Sequence, residues 1–147
     1  MKALILSAGQ GKRLLPLTED TPKCILRFMG QSLIEWQIDE LGKCGIEQVT
    51  VVVGYRADKV KQILQTRYGP QRVRTIYNTD WAVSDNLVSC WYARDEMHED
   101  FVLLNGDTLF EPAVIQRLLE KTSRPITVGV SQKNHYDVDD MKVELLG

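Results

Sequence analysis

Lys2-Ala3-Leu4-Ile5-Leu6-Ser7-Ala8-Gly9-Gln10-Gly11-Lys12-Arg13-Leu14 is the stretch that decides the fold. Lys2–Leu6 is a short, nearly continuous apolar run, the pattern of a parallel strand covered on both faces. Small residues follow at once. Ala8, Gly9 and Gly11 let the backbone approach a ligand, and successive free N–H groups there make an anion nest. Lys12 and Arg13 add cations to this loop, and Lys23 follows after Pro22. Two familiar phosphate loops fail here. A Walker A motif needs Gly at position 6 and Ser or Thr at position 13, which are Leu6 and Arg13. The dinucleotide fingerprint needs a third Gly at position 14, which is Leu14.

Outward from this stretch, apolar runs alternate with amphipathic ones. Gln48–Val53, Phe101–Leu104 and Ile126–Val130 read as further strands, with Val73–Tyr77 and Lys142–Leu145 as weaker candidates. Ser32-Leu33-Ile34-Glu35 is a capping box, and Ile34, Ile38 and Leu41 follow at helical spacing until Gly45 stops the helix. Val60, Ile63 and Leu64 mark a second helix, ended by Tyr68-Gly69-Pro70. Leu87, Val88, Trp91 and Tyr92 mark a third, with Ser84 or Asp85 as N-cap. Pro112 suits a first helical position ahead of Val114, Ile115, Leu118 and Leu119. This alternation predicts an α/β layer fold with right-handed crossovers. Ligands in such sheets sit at the carboxyl ends of the strands, which singles out the loops after Leu6, Val53 and Leu104.

The length of 147 residues is that of one domain, spanning residues 1–147. Eighteen Lys and Arg against twenty Asp and Glu give a net charge of −2, which argues against wholesale binding to nucleic acid or an anionic membrane. Cys24, Cys44 and Cys90 are widely spaced and form no CxxC pair, so reduced thiols of a cytoplasmic protein are expected. The first apolar run is too short for a signal peptide or a bilayer span.

The complete string Leu6-x-Ala8-Gly9-x-Gly11-x-Arg13-Leu14-x-Pro16-Leu17-Thr18, then Pro22-Lys23, resembles the signature of the nucleotidyltransferases that activate sugar phosphates and phosphocholine. Further matches follow in order: Gly30-x-x-Leu33-Ile34, Gly45-Ile46, Val52-Val53-Gly54-Tyr55 and Asn105-Gly106-Asp107. The resemblance covers essentially the whole chain. It implies a Rossmann-like three-layer α/β/α fold with a mostly parallel, mixed sheet. It implies that Ala8, Gly9, Gly11, Lys12, Gly54 and Tyr55 line the nucleoside triphosphate. It gives Arg13 a phosphate contact, places Lys23 over the reacting phosphates, and assigns Asp107 to Mg²⁺.

Hexose-phosphate members carry a Gly-Thr-Ala or Thr-Gly-Gly stretch in mid-domain, and none is present. Asn78-Thr79-Asp80-Trp81-Ala82-Val83-Ser84-Asp85-Asn86-Leu87-Val88-Ser89 instead looks like the Asn…Asn-x-x-Ser pattern of the phosphocholine and phosphonate cytidylyltransferase branch. That branch often has two adjacent Asn, where this chain has Asp85 and Asn86. On this reading Asn78, Asn86 and Ser89 hold the base or ribose of CTP, and the acceptor is phosphocholine or a phosphonate. Two readings stand for Ser84, Asp85 and Asn86, which are also ordinary capping residues. A sugar-1-phosphate acceptor is the alternative substrate.

Asp137-Val138-Asp139-Asp140 lacks the Gly and terminal Glu of a calcium loop and reads as a solvated turn. Asp139–Val143 resembles the start of the family's substrate-side hairpin, and the family's second metal-binding Asp comes later than Gly147. The resemblance therefore implies a missing acceptor-binding part, little activity for these residues alone, and self-association through the surfaces that part would cover. A non-catalytic nucleotide-binding domain is the alternative from another class. Trp81, Trp91 and Tyr136 are core residues or stacking partners for a quaternary ammonium.

Overall fold

The computed structural model describes residues 1–120, 124–136, 138 and 142–144. In chain order the strands are β1 (Lys2–Ser7), β2 (Arg27–Phe28), β3 (Gln31–Ser32), β4 (Val49–Val53), β5 (Val73–Tyr77) and β6 (Phe101–Asn105). The helices are α1 (Leu33–Lys43), α2 (Ala57–Arg72), α3 (Asn86–Tyr92) and α4 (Pro112–Glu120). Strands β5-β4-β1-β6 form a four-stranded sheet in that order. Every pairing in it is parallel, with Ala3 opposite Val49 and Val102. β2 and β3 make a separate antiparallel pair.

The period of two along β1 divides its side chains between two cores. Ala3 and Ile5 join Val49, Val51 and Val53 under Ile34, Ile38 and Leu41 of α1, Val60 and Leu64 of α2, and Ile115 of α4. Leu4 and Leu6 join Val52 on the opposite face, beneath Ala93 and the half-buried Cys90, Met97 and Trp81. The layers are thus α/β/α, and β1 at the centre is buried from both sides, as its unbroken apolar run predicts.

Local signals behave as expected at α1. The Ser32 hydroxyl accepts from the Glu35 N–H while the Glu35 carboxylate accepts from the Ser32 N–H, completing the capping box. At its other end Ile46 N–H donates to Leu41 C=O and Gly45 N–H to Gly42 C=O, a Schellman stop. α2 kinks at Gly69, and its last turn runs on through Pro70 to Arg72. Asp85, not Ser84, caps α3, accepting from the N–H groups of Leu87 and Val88.

Several expectations need correction. Ile126–Val130 forms no strand, and its residues are exposed. Its apolar run has the right composition, but a strand also needs a neighbour to bond to. Lys142–Glu144 is likewise not in a strand, and Leu145 lies outside the described residues, as do Asp137, Asp139, Asp140 and Met141. β6 is an edge strand, not one covered on both faces, and Leu103 is 45% exposed. The apolar face of α3 is turned partly outward, with Leu87 and Trp91 exposed.

Candidate functional site

Three loops converge at the carboxyl end of the sheet, because β1 lies between β4 and β6 and all run the same way. Backbone bonds lock them together. Tyr55 N–H donates to Ala8 C=O at 2.8 Å, and Gly106 N–H donates to Leu6 C=O at 2.8 Å. Gly54 and Gly106 are required by this closeness. A Cβ on Gly54 would stand 2.6 Å from the Ala8 carbonyl and 2.4 Å from the Trp81 Cβ. A Cβ on Gly106 would stand 2.1 Å from Ser7 Oγ and 2.8 Å from the Leu6 carbonyl. Side chains are excluded there so that the three loops can touch.

The loop after β1 is exposed at Gly9, Lys12 and Arg13, and Lys12–Leu14 forms one 3₁₀ turn. It is held from behind. The buried Thr18 donates its hydroxyl to Gly11 C=O at 2.9 Å. Tyr55 OH donates to Glu19 C=O, Arg56 pairs with Asp20, and Lys59 Nζ donates to Asp20 C=O at 2.6 Å. Tyr55, Arg56 and Lys59, at the start of α2, thereby clamp Glu19 and Asp20, and the glycine segment is presented to solvent. Lys23 follows in a second 3₁₀ turn, anchored by the buried Cys24 and Ile25. Burial pushes the Cys24 thiol up to about 11, against a hydrogen bond with Ser7 that lowers it. Cys24 is therefore a packing residue and no nucleophile.

Lys23 Nζ stands 2.6 Å from Asp107 Oδ2, across 84 residues of sequence. Both side chains are partly exposed, at 34% and 46%. The resemblance gave these two residues to reacting phosphate and metal, and the fold delivers them to one point at the mouth of the glycine loop. Among the described residues no group of three or more His, Cys, Asp or Glu forms a metal cluster. One carboxylate nevertheless suits Mg²⁺, which keeps several waters and binds through one or two carboxylates plus phosphate oxygens.

Asn78 and Ser89 are both buried. Asn78 Nδ2 donates to Ser89 Oγ at 3.1 Å and to Ser84 Oγ at 3.2 Å, and its Oδ1 accepts from Asp80 N–H at 2.8 Å. Their polar groups are engaged in folding the 78–89 segment over the end of β5. Asn86 is different. It is exposed, and its Nδ2 donates to Asn105 Oδ1 at 3.0 Å, which ties α3 to the loop that carries Asp107.

Trp81 packs against Tyr55 with ring centroids 5.1 Å apart. The face of Trp91 is taken by the Arg94 guanidinium at 4.6 Å, and Tyr136 is exposed. The sequence reading passed over Gln37, which is fully buried in α1 and donates to the carbonyls of Asn105 and Thr108. The signal was available: Gln37 sits on the apolar stripe of Ile34, Ile38 and Leu41, where a polar residue needs a reason.

Similarity to known proteins agrees with this geometry. The chain is 46% identical over 140 residues to a bifunctional sugar-1-phosphate nucleotidylyltransferase/acetyltransferase of Sulfurisphaera tokodaii, covering 94% of this chain and 33% of that one. It is 32% identical over 150 residues to a 2-aminoethylphosphonate cytidylyltransferase of Lancefieldella rimae, covering 94% of this chain and 56% of that one. The solved structure of the CTP:phosphocholine cytidylyltransferase of Streptococcus pneumoniae superposes with a TM-score of 0.66 at 33% identity, over 76% of this chain and 49% of that one. The chain thus spans about a third to just over half the length of these relatives. No helix among the described residues is long and apolar enough to cross a membrane. The model of the MobA-like NTP transferase domain matches residues 3–138, and the chain belongs to that family.

Proposed function

We propose that this chain supplies the triphosphate-binding half of a nucleotidyl transfer from CTP to a small phosphorylated acceptor, phosphocholine or a phosphonate. The observation that carries the reading is the meeting of Lys23 and Asp107 at the exposed glycine loop. An acceptor phosphate or phosphonate oxygen attacks the α-phosphorus of CTP. The bond from that phosphorus to the bridging oxygen breaks, and pyrophosphate leaves with the electron pair. The nucleophile is already anionic, since the second pKa of a phosphate monoester is about 6, and no side-chain base is required. Gly9, Gly11 and Lys12 cradle the triphosphate, Arg13 grips its oxygens, and Lys23 neutralises charge that builds toward the leaving group. Asp107 is the residue that would hold Mg²⁺, and the ion would supply charge neutralisation on the phosphates. Asn78 and Ser89 shape the pocket wall, and Asn86, exposed at its rim, faces the nucleoside.

The cytidylyltransferase relatives and the Asn78…Asn86-x-x-Ser89 pattern favour CTP. The 46% identity to a sugar-1-phosphate nucleotidylyltransferase favours a second reading, with UTP or dTTP and a hexose 1-phosphate. Pyrophosphate release distinguishes them when CTP, UTP, ATP, GTP and dTTP are each paired with phosphocholine, 2-aminoethylphosphonate and glucose 1-phosphate. Preference for CTP with either of the first two acceptors is expected. Preference for UTP or dTTP with glucose 1-phosphate transfers the assignment to the second reading. Calorimetric titration with the same triphosphates, with and without Mg²⁺, tests the binding step alone.

A further inference from the structure

Gln37 is fully buried and makes the one contact between α1 and the turn that carries Asp107 that passes through an amide. Its Nε2 donates to Asn105 C=O at 2.8 Å and to Thr108 C=O at 2.7 Å. Those carbonyls bracket Gly106 and Asp107. Thr108 N–H also donates to Asn105 C=O at 3.1 Å, so residues 105–108 form a closed turn with Asp107 at its third position. Both partners of Gln37 are acceptors. The amide orientation is therefore fixed, because the reverse would set Oε1 against two carbonyl oxygens.

Oε1 itself is buried and has no partner among the described residues. Burying an amide oxygen unpaired is unfavourable, and a methionine would fill the same stripe without it. What a methionine lacks is the pair of donors that holds both ends of the turn. The other ties on this turn among the described residues are Gly106 N–H to Leu6 C=O, Asn86 to the Asn105 side chain, and the ion pair of Lys23 with the Asp107 carboxylate itself. None of them reaches Thr108, the residue just after Asp107.

We infer that Gln37 is a positioning residue for Asp107: by bridging the carbonyls on either side, it fixes the direction in which that carboxylate meets the metal-bound triphosphate. The inference rests on the function proposed above, in which Asp107 serves Mg²⁺. Supporting groups of this kind typically change metal affinity by roughly 10–100-fold when removed.

The experiment compares calorimetric affinity for the tightest-binding of the five triphosphates, with Mg²⁺ and with EDTA. The proteins are wild type, Gln37→Met, Asp107→Asn and the double variant. Gln37→Met is expected to lose roughly tenfold or more of the Mg²⁺-dependent affinity and little of the affinity in EDTA. In the Asp107→Asn background the same change should have no further effect, since Gln37 acts through Asp107. A loss of equal size in that background, or an equal loss in EDTA, makes Gln37 merely structural and overturns the inference. So does an unchanged Mg²⁺ enhancement in Gln37→Met. If wild type shows no Mg²⁺ enhancement, or Asp107→Asn keeps it, the proposed function of Asp107 falls first. Melting by circular dichroism accompanies each titration. Should Gln37→Met lack a native transition, Gln37→Glu leaves at most one donor for the two carbonyls at nearly unchanged volume, and is read against the same outcomes.

Discussion

Arg13 and Asp107 are the residues at which single atoms decide most. Arg13→Ala should weaken triphosphate binding by about 1.5–3 kcal/mol, the size of a hydrogen bond to a charged group. Arg13→Lys should be impaired too, because an ammonium cannot grip phosphate in two places. Unchanged calorimetric affinity in both variants would remove Arg13 from the phosphate site. Asp107→Asn has two expected effects of opposite sign. It removes the metal carboxylate, so binding with Mg²⁺ falls. It also releases Lys23 from the 2.6 Å ion pair, so binding in EDTA should rise. The melting temperature should stay near wild type, since a partly exposed pair contributes only about 0.2–1 kcal/mol. A variant that unfolds, or that binds no better in EDTA, contradicts this account. At this scale the sequence names candidate residues from motifs and leaves their packing open. Lys23 and Asp107 were recognisable from their motifs. Asn78 and Ser89 were singled out by a pattern, but their burial against one another depends on where β5 ends relative to α3, which no local pattern records.

The helices and turns are stabilised by short-range devices that mutation can isolate. Ser32→Ala deletes the reciprocal bonds of the α1 capping box and should cost about 0.5–2 kcal/mol, lowering the melting temperature by roughly 2–4 °C per kcal/mol. Glu35 adds a pH signature. Burial raises its pKa, but the Ser32 hydroxyl and N–H bonds and the nearby Arg67 more than reverse this, and the net shift is downward from 4.5. A carboxylate with a depressed folded pKa contributes stability above its unfolded value and loses it as pH falls through the folded value. The melting-temperature gap between wild type and Glu35→Gln should therefore be widest above the ordinary carboxylate value of 4.5 and should close as pH falls below it through the depressed folded value. Gly106→Ala drives a Cβ into Ser7 and the Leu6 carbonyl and should destabilise by about 1–3 kcal/mol, while weakening triphosphate binding through the displaced turn. Elements with their own local signals were legible: β1, β4 and β5 from composition, α1 from its cap and Schellman stop, α4 from Pro112. Ile126–Val130 was not, because its apolar run carries no information about whether a partner strand is present.

For the molecule as a whole, the three thiols report on how tightly the layers close. Burial raises the pKa of Cys24, Cys44 and Cys90 alike, with Cys24 reaching about 11. All three are free. At pH 8 a thiol reagent should modify Cys90 and Cys44 slowly and Cys24 last, whereas all three should react at once in guanidinium. Fast modification of Cys24 in the folded protein would mean that the floor of the Lys23 turn opens readily. The placement of β1 has a further consequence, in time instead of space. Of the described strands it is synthesised first, yet one of its two neighbours, β6, begins only at Phe101. At a translation rate of about 5–20 residues per second, β1 waits roughly 5–20 s for that partner. Through that interval Ala3–Leu6 has at most one neighbour, and the glycine loop has no Asp107 to face. A nascent chain paused before β6 should bind triphosphate poorly and should recruit chaperones through its unsatisfied first strand.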